Sequence, residues 1–230
     1  MNLTPTFGGD APSNYEQKCL CVLCLDTSGS MGGLPISELN KGLQDFAIEL
    51  QNDGVAKNRV EVCIITFDSG VECVQEPALI ADMQMPQLKV KGLTKLVDGM
   101  RAAIAKTEER KRYYKAQGIP YYRPFIVLMT DGGPDPGQDV DGLSIEIKEG
   151  IDRKKFTLFA VGAGDAVNGA ILAKISGPLP PLKLNGLNYR AFFEWLSSSL
   201  SEVSRSGTGE EVKFAPVDAW SGGTFSQTPV

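Results

Sequence analysis

The sequence predicts an α/β fold: a doubly wound, mostly parallel sheet with helices on both faces and one short antiparallel edge strand. Three observations lead there. Residues 20–25, 60–67, 125–129 and 156–161 are almost continuous apolar runs, the pattern of strands buried on both faces. Between these runs lie segments whose apolar residues recur at helical spacing. Strands that alternate with helices call for right-handed crossovers, and so for a parallel sheet covered on both sides.

Taken in order, residues 1–17 are polar, carry Pro5, Gly8, Gly9 and Pro12, and read as a flexible arm. The first strand, 20–25, ends in Asp26. After a glycine-rich turn, Leu39, Leu43, Phe46, Ala47 and Leu50 form a helical stripe, with Pro35 near its start. Residues 60–67 are rich in β-branched side chains, and after the turn Asp68-Ser69-Gly70 residues 71–74 return as the edge strand of a hairpin. Leu96, Met100, Ala103 and Ile104 line the next helix. The strand at 125–129 runs into Thr130-Asp131-Gly132-Gly133. A helix over 144–153, a strand at 156–161 closed by Gly162-Ala163-Gly164, a short helix over 170–175 and a last short strand at 182–184 follow. Phe192, Leu196, Leu200 and Val203 stripe a terminal helix. The domain thus spans 18–205. Residues 206–230, rich in Gly, Ser and Thr, read as a tail in which Phe214, Trp220 and Phe225 are the side chains able to dock.

Composition narrows the function. At 42% hydrophobic and 22% charged, the 230 residues are ordinary globular material, enough for one substantial core. The formal net charge of −5 argues against nucleic acid as the main ligand. There is no histidine, which removes His-based nucleophile activation, the common zinc sites and imidazole acid–base chemistry. The five cysteines, Cys19, Cys21, Cys24, Cys63 and Cys73, are odd in number, and four lie in apolar runs. They read as buried thiols of a reducing compartment. On an extended strand Cys19 and Cys21 share a face and Cys24 points to the other, so one ion does not reach all three. Neither a targeting segment nor a bilayer-spanning run is apparent, and the expectation is a cytoplasmic protein without membrane contact.

The chemistry concentrates in Asp26-Thr27-Ser28-Gly29-Ser30-Met31-Gly32-Gly33, between a buried strand and a helix. In an extended segment Asp26, Ser28 and Ser30 project together. One carboxylate and two hydroxyls at that spacing suit a hard, oxygen-seeking cation. Asp131 supplies a second carboxylate from the end of another strand, and Thr94, in Gly92-Leu93-Thr94, a further hydroxyl at the opening of a helix. In open parallel sheets, ligands gather in the crevice at such strand ends. Asp135, Asp139 and Asp165 in neighbouring loops read as solvated turn residues.

Asp-x-Ser-x-Ser after the first strand, a separated Thr, and Thr-Asp-Gly after a later strand resemble the metal-ion-dependent adhesion site of von Willebrand factor A domains. The likeness spans residues 20 to about 205, and Asp26, Ser28, Ser30, Thr94 and Asp131 match the family's five metal positions. It implies a Rossmann-like fold and a bound divalent ion: magnesium, with manganese or calcium as alternatives. The lead-in Lys91-Gly92-Leu93 departs from the family pattern, which usually has a small or polar neighbour before the Thr. A narrower likeness runs through Ile65-Thr66-Phe67-Asp68, Leu128-Met129-Thr130-Asp131-Gly132 and Phe192-Phe193-Glu194-Trp195-Leu196-Ser197. It resembles bacterial TerY-type proteins associated with tellurite resistance, and implies a stress-response or phosphorylation-linked module with a protein kinase and a metal-dependent phosphatase as partners.

Such a site binds and does not catalyse. Two carboxylates balance a divalent charge, neutral hydroxyls leave the ion electrophilic, and a partner's acidic side chain completes the shell. Hydrolysis needs a positioned base or a second metal besides. The expected function is therefore metal-dependent protein binding, as an adaptor or scaffold. Two alternatives are a magnesium-dependent phosphoryl hydrolase with Asp26 as nucleophile, and a structural subunit whose metal site stays empty. Two further segments stand out. Residues 101–124 interleave Arg101, Lys106, Arg110 and Lys111 with Tyr113, Tyr114, Tyr121 and Tyr122, and read as a solvated helix end with packed tyrosines. Residues 197–206 are serine dense and read as a polar helix face, and as a phosphorylation zone if a kinase partner exists.

Overall fold

The computed structural model describes residues 14–164, 167–206, 216–217 and 220–224. Seven strands occur there: β1 (Cys19–Asp26), β2 (Val60–Phe67), β3 (Val71–Leu79), β4 (Phe125–Thr130), β5 (Thr157–Gly162), β6 (Leu182–Leu184) and β7 (Ser221–Thr224). Six α-helices join them: α1 (Leu34–Asn52), α2 (Ala56–Arg59), α3 (Leu96–Gln117), α4 (Val140–Asp152), α5 (Gly169–Ile175) and α6 (Tyr189–Arg205). The strands form one sheet in the order β3-β2-β1-β4-β5-β6-β7. β2, β1, β4, β5 and β6 run parallel. β3 and β7 run antiparallel at the two edges. The chain leaves β1 toward β2 and later returns to β1's other side as β4. The winding therefore reverses between β1 and β4.

Alternation along the strands builds two cores. Cys21, Leu23 and Leu25 face α1 and α6, against Leu43, Phe46 and Phe192. Leu20, Val22 and Cys24 face α3 and α4, against Met100 and Leu143. Cys19 and Cys21 thus lie on one side and Cys24 on the other, as the period of two requires. All five cysteines are free thiols, and only Cys73 is not fully buried. Burial pushes the Cys19 thiol up to about 12, so it is inert as a nucleophile.

Several elements differ from the sequence expectation. The edge strand β3 has nine residues where 71–74 was expected, because its exposed Glu72 and Glu76 hide it from an apolar pattern while hairpin pairing to β2 carries it. α4 begins at Val140 rather than 144, where the Asp139 side chain caps it by accepting from the Gly142 amide. β7 comes from the segment read as a tail. Trp220, just before it, is fully buried, with its ring 4.9 Å from Phe192 and 5.2 Å from Trp195. Phe214, Phe225 and Asp165 lie outside the described residues.

The serine-dense segment is not the polar outer face that the sequence suggests. Ser197, Ser199, Ser201 and Ser204 are buried, while Ser198 is exposed. α6 packs closely on α1: the Ser197 hydroxyl donates to Glu49, and Gly42 leaves no room for a Cβ beside Phe193 and Tyr189. Ser199 and Ser204 satisfy their hydroxyls on the Trp195 and Ser201 carbonyls within the helix. The basic, tyrosine-rich segment is largely consumed by the fold. Arg101 pairs with Asp139 and Glu146, Lys106 with Glu76 and Glu109, Arg110 with Glu61, and Lys111 with Glu108. Tyr114 is buried against Tyr121, and Tyr122 donates to the Ser206 carbonyl at 2.6 Å.

Candidate metal centre

β1 and β4 are neighbours at the point of reversal, so their carboxyl ends open a single crevice. Asp26 is the last residue of β1, and Asp131 follows the last residue of β4. Asp26 is fully buried. Its Oδ1 accepts from the Ser28 amide at 2.8 Å and its Oδ2 from the Thr130 hydroxyl at 2.5 Å. The Ser30 hydroxyl donates to Asp131 Oδ1 at 2.8 Å and lies 3.2 Å from the Ser28 hydroxyl. Four of the five expected residues are thereby joined in one chain of contacts, although Ser30 and Asp131 are 101 residues apart. Ser28 and Asp131 are buried and Ser30 is exposed, so the cluster opens to solvent on the Ser30 side.

Thr94 reaches the same rim through backbone contacts. The Gly29 amide donates to the Gly92 carbonyl at 2.8 Å and the Lys91 amide to the Thr27 carbonyl at 2.8 Å, which ties the Thr94 loop to the Asp26 loop. Gly92 tolerates this approach because it has φ +40°, and a Cβ there would stand 2.0 Å from the Ser69 hydroxyl oxygen. The Thr94 hydroxyl makes no hydrogen bond within the described residues. Its amide donates to Asp135 Oδ2 at 2.8 Å and its carbonyl accepts from Gln138 Nε2 at 2.6 Å.

The electrostatics are those of an uncompensated negative pocket. Burial pushes the Asp26 carboxyl up to about 6 against the hydrogen bonds from Ser28 and Thr130, and the Asp131 charge adds to the rise. Burial likewise raises Asp131, with the Ser30 hydroxyl opposing. The buried Tyr189 phenol is also held above its ordinary value, first by burial and then by the charges of Asp131 and Asp26. No lysine or arginine pairs with either carboxylate among the described residues. Two carboxylates that share a pocket without a positive group fit a divalent cation. No group of three Asp, Glu or Cys side chains is placed to hold an ion among the described residues, so the remaining donors are hydroxyls. An all-oxygen set of this kind suits a hard ion.

Four residues at the site escaped the sequence reading. Thr130 stands in Thr-Asp-Gly as the neighbour of a ligand candidate, yet its place at the end of β4 directs its hydroxyl to Asp26. Asp68 was read as a turn residue. Its carboxylate accepts from the Thr27 hydroxyl at 3.1 Å and the Gly70 amide at 3.0 Å, and its carbonyl accepts from the Lys95 amide at 2.9 Å. Asp135, expected to be solvated, holds Thr94, and Gln138 carried no signal at all. Asp139, also expected to be solvated, caps α4 and pairs with Arg101 at 2.8 Å.

Residues 21–191 match the family model described as von Willebrand factor type A domain. No curated protein matches the chain. Solved structures share its fold. The pilus adhesin SpaC from Lactobacillus rhamnosus GG, in an open conformation, is 16% identical over 83% of this chain and 31% of its own, with a TM-score of 0.66. A von Willebrand factor type A protein from Catenulispora acidiphila is 19% identical over 81% of this chain and 43% of its own, at 0.61. Proximal thread matrix protein 1 from the mussel byssus, described with a zinc-occupied adhesion-site motif, is 18% identical over 82% of this chain and 48% of its own, at 0.53. The chain therefore spans between about a third and a half of the length of these three proteins.

Proposed function

This chain belongs to the von Willebrand factor type A domain family, and on that premise we propose that it binds a protein partner through a divalent ion held by Asp26, Ser28, Ser30, Thr94 and Asp131. The observation that carries the reading is the convergence of two buried carboxylates and two hydroxyls, from distant stretches of chain, with no positive side chain among them. A bound magnesium ion supplies the missing charge and an exchangeable coordination position. Asp26 and Asp131 offset its charge. Thr130 and the Ser28 amide fix the Asp26 carboxylate in place, and the exposed Ser30 side leaves the approach for a partner's carboxylate. Ser28 stands where a hydrolase using Asp26 as nucleophile would carry a second carboxylate, which favours binding over catalysis. The zinc-bearing motif named for the byssus relative supports a divalent ion in this fold.

The proposal extends to setting. Five free thiols support a reducing, cytoplasmic location. Among the described residues no helix is long and apolar enough to cross a membrane. The likeness to TerY-type proteins supports a phosphorylation-linked module as the source of the partner. Calorimetric titration with magnesium tests the core of the reading: the parent chain binds one ion, and Asp26→Ala folds but binds none. Recovery of partners from a lysate with and without chelator then tests whether the ion is the means of binding. Equal magnesium binding by the variant would remove Asp26 from the site.

A further inference from the structure

We propose that Asp135 and Gln138 are positioning residues: together they set the Thr94 hydroxyl on the ion and complete the first turn of α3 from the opposite metal loop. The inference rests on the metal-binding reading above and adds to it two residues that do not touch the ion.

α3 lacks a cap of its own. Lys95, at the N-cap position, makes no side-chain capping bond, and a helix start leaves amides without intrahelical partners. The partners come from the β4–α4 loop, about 40 residues further along the chain. Gln138 Oε1 accepts from the Val97 amide at 2.9 Å while its Nε2 donates to the Thr94 carbonyl at 2.6 Å. Asp135 Oδ2 accepts from the Thr94 amide at 2.8 Å, and the Asp135 amide returns to the Thr94 carbonyl at 3.2 Å. Both backbone polar groups of Thr94 are therefore held from one loop, and that loop begins with Asp131.

The residue types fit the task. A primary amide donates to a carbonyl through its nitrogen and accepts from an amide through its oxygen, as Gln138 does. The Asp135 carboxylate acts here as an acceptor for a backbone amide and needs no ion to justify it. The Thr94 hydroxyl has no hydrogen bond within the described residues, so its direction follows from the backbone that Asp135 and Gln138 fix. Groups that orient a ligand from behind govern metal affinity without touching the metal. A cap alone would affect only stability. Positioning affects magnesium affinity, and does so only while Thr94 has its hydroxyl.

Magnesium calorimetry on the full chain separates these roles, using Gln138→Ala, Thr94→Ala, their double variant, Asp135→Asn and Asp135→Ala. Unfolding in chelator is followed for each. Gln138→Ala is expected to weaken binding about tenfold. The double variant is expected to bind within about twofold of Thr94→Ala alone, since both losses pass through one hydroxyl. Asp135→Asn keeps an acceptor for the Thr94 amide and stays close to the parent, whereas Asp135→Ala loses about tenfold. Parent-like affinity in Gln138→Ala overturns the proposal, as does a double variant whose loss is the product of the two single losses. Asp135→Asn as weak as Asp135→Ala also overturns it, because Asp135 would then ligate the ion itself. Should Gln138→Ala fail to fold, the Asp135 pair decides. A parent chain that binds no magnesium sinks the metal reading itself, before any variant is compared.

Discussion

Glu61, near the start of β2, and Asp26, at the end of β1, are buried carboxylates on adjacent strands. Glu61 lies level with Leu20 in the register, six residues short of Asp26, a separation of about 20 Å along the sheet. Glu61 receives a bidentate pair from Arg110, at 2.7 and 2.8 Å, and the Tyr114 hydroxyl at 2.6 Å. The guanidinium in turn lies 4.3 Å over the Tyr113 ring, and the buried Lys18 adds a second positive charge nearby. Asp26 has one backbone amide and one threonine hydroxyl, and its closest charge is another carboxylate. At the lower end of the sheet the fold supplies its own counter-ion. At the upper end no lysine or arginine pairs with the carboxylate among the described residues. One carboxylate is part of what holds the protein together, and the other is one of those we propose to hold the ion.

The largest effect that tests this contrast is expected at Glu61. Glu61→Ala strands the Arg110 guanidinium and the Tyr114 hydroxyl in a largely buried setting, at a cost of about 4 kcal/mol. Denaturant unfolding should show that loss equally with and without magnesium. A loss under about 1 kcal/mol would mean that the ion pair is not closed in the way its geometry suggests.

Asp26→Asn is expected to act in the opposite direction. Its carboxyl is raised from 3.8 to about 6, so the acid is buried more easily than the carboxylate. The sign follows from linkage. A raised group contributes its stability in full below pH 4, and that contribution is lost as the pH rises through 6. In chelator at pH 7, the variant should therefore exceed the parent by on the order of 2 kcal/mol. The gap should close toward pH 4. Magnesium should stabilise the parent and leave the variant unmoved, and parent affinity should decline as the pH falls below 6, because the ligand must be deprotonated. A variant less stable than its parent in chelator would show that some other group already compensates Asp26.

The two ends also differ in how much of them the sequence discloses. Asp26 is legible because a buried apolar strand ends on it, whereas Ser28 and Ser30 come beside it through a turn and the short 3-10 helix Gly29–Met31 and not through the extended spacing of two that the sequence suggests. Asp131 and Thr94 were legible because strand ends and a helix start converge at a winding reversal. Gln138, Asp135 and Asp68 were not, because they act through backbone amides and carbonyls, and any polar residue in a loop looks alike until the loop is placed. Glu61 was hidden for a related reason. A single carboxylate within an apolar strand announces burial but not its partner, and Arg110 is 49 residues away. The buried serines of α6 show the same limit: a hydroxyl that bonds its own helix packs as a small apolar group. β7 lay in a Gly-rich segment with no alternating pattern, and the buried Trp220 beside it was the one usable clue.

The smallest effect separates the two ends most finely, because it compares like with like. Gly92 and Gly118 flank α3, one at the metal face and one at its lower end, and both have positive φ, at +40° and +67°. An alanine at either position carries a left-handed backbone penalty of about 1 kcal/mol. At Gly118 the added Cβ meets nothing within 4 Å, and the residue only closes the helix, its amide bonding the Lys115 and Tyr114 carbonyls. At Gly92 the Cβ displaces the Ser69 hydroxyl, which accepts from the Leu93 amide at 3.0 Å, and strains the carbonyl that meets Gly29. Gly92→Ala should lose more stability in chelator than Gly118→Ala, and it alone weakens magnesium binding, by roughly three- to tenfold. Equal affinities in the two variants would mean that the Thr94 loop tolerates displacement, and that the ion is gripped by Asp26, Ser28, Ser30 and Asp131 without it.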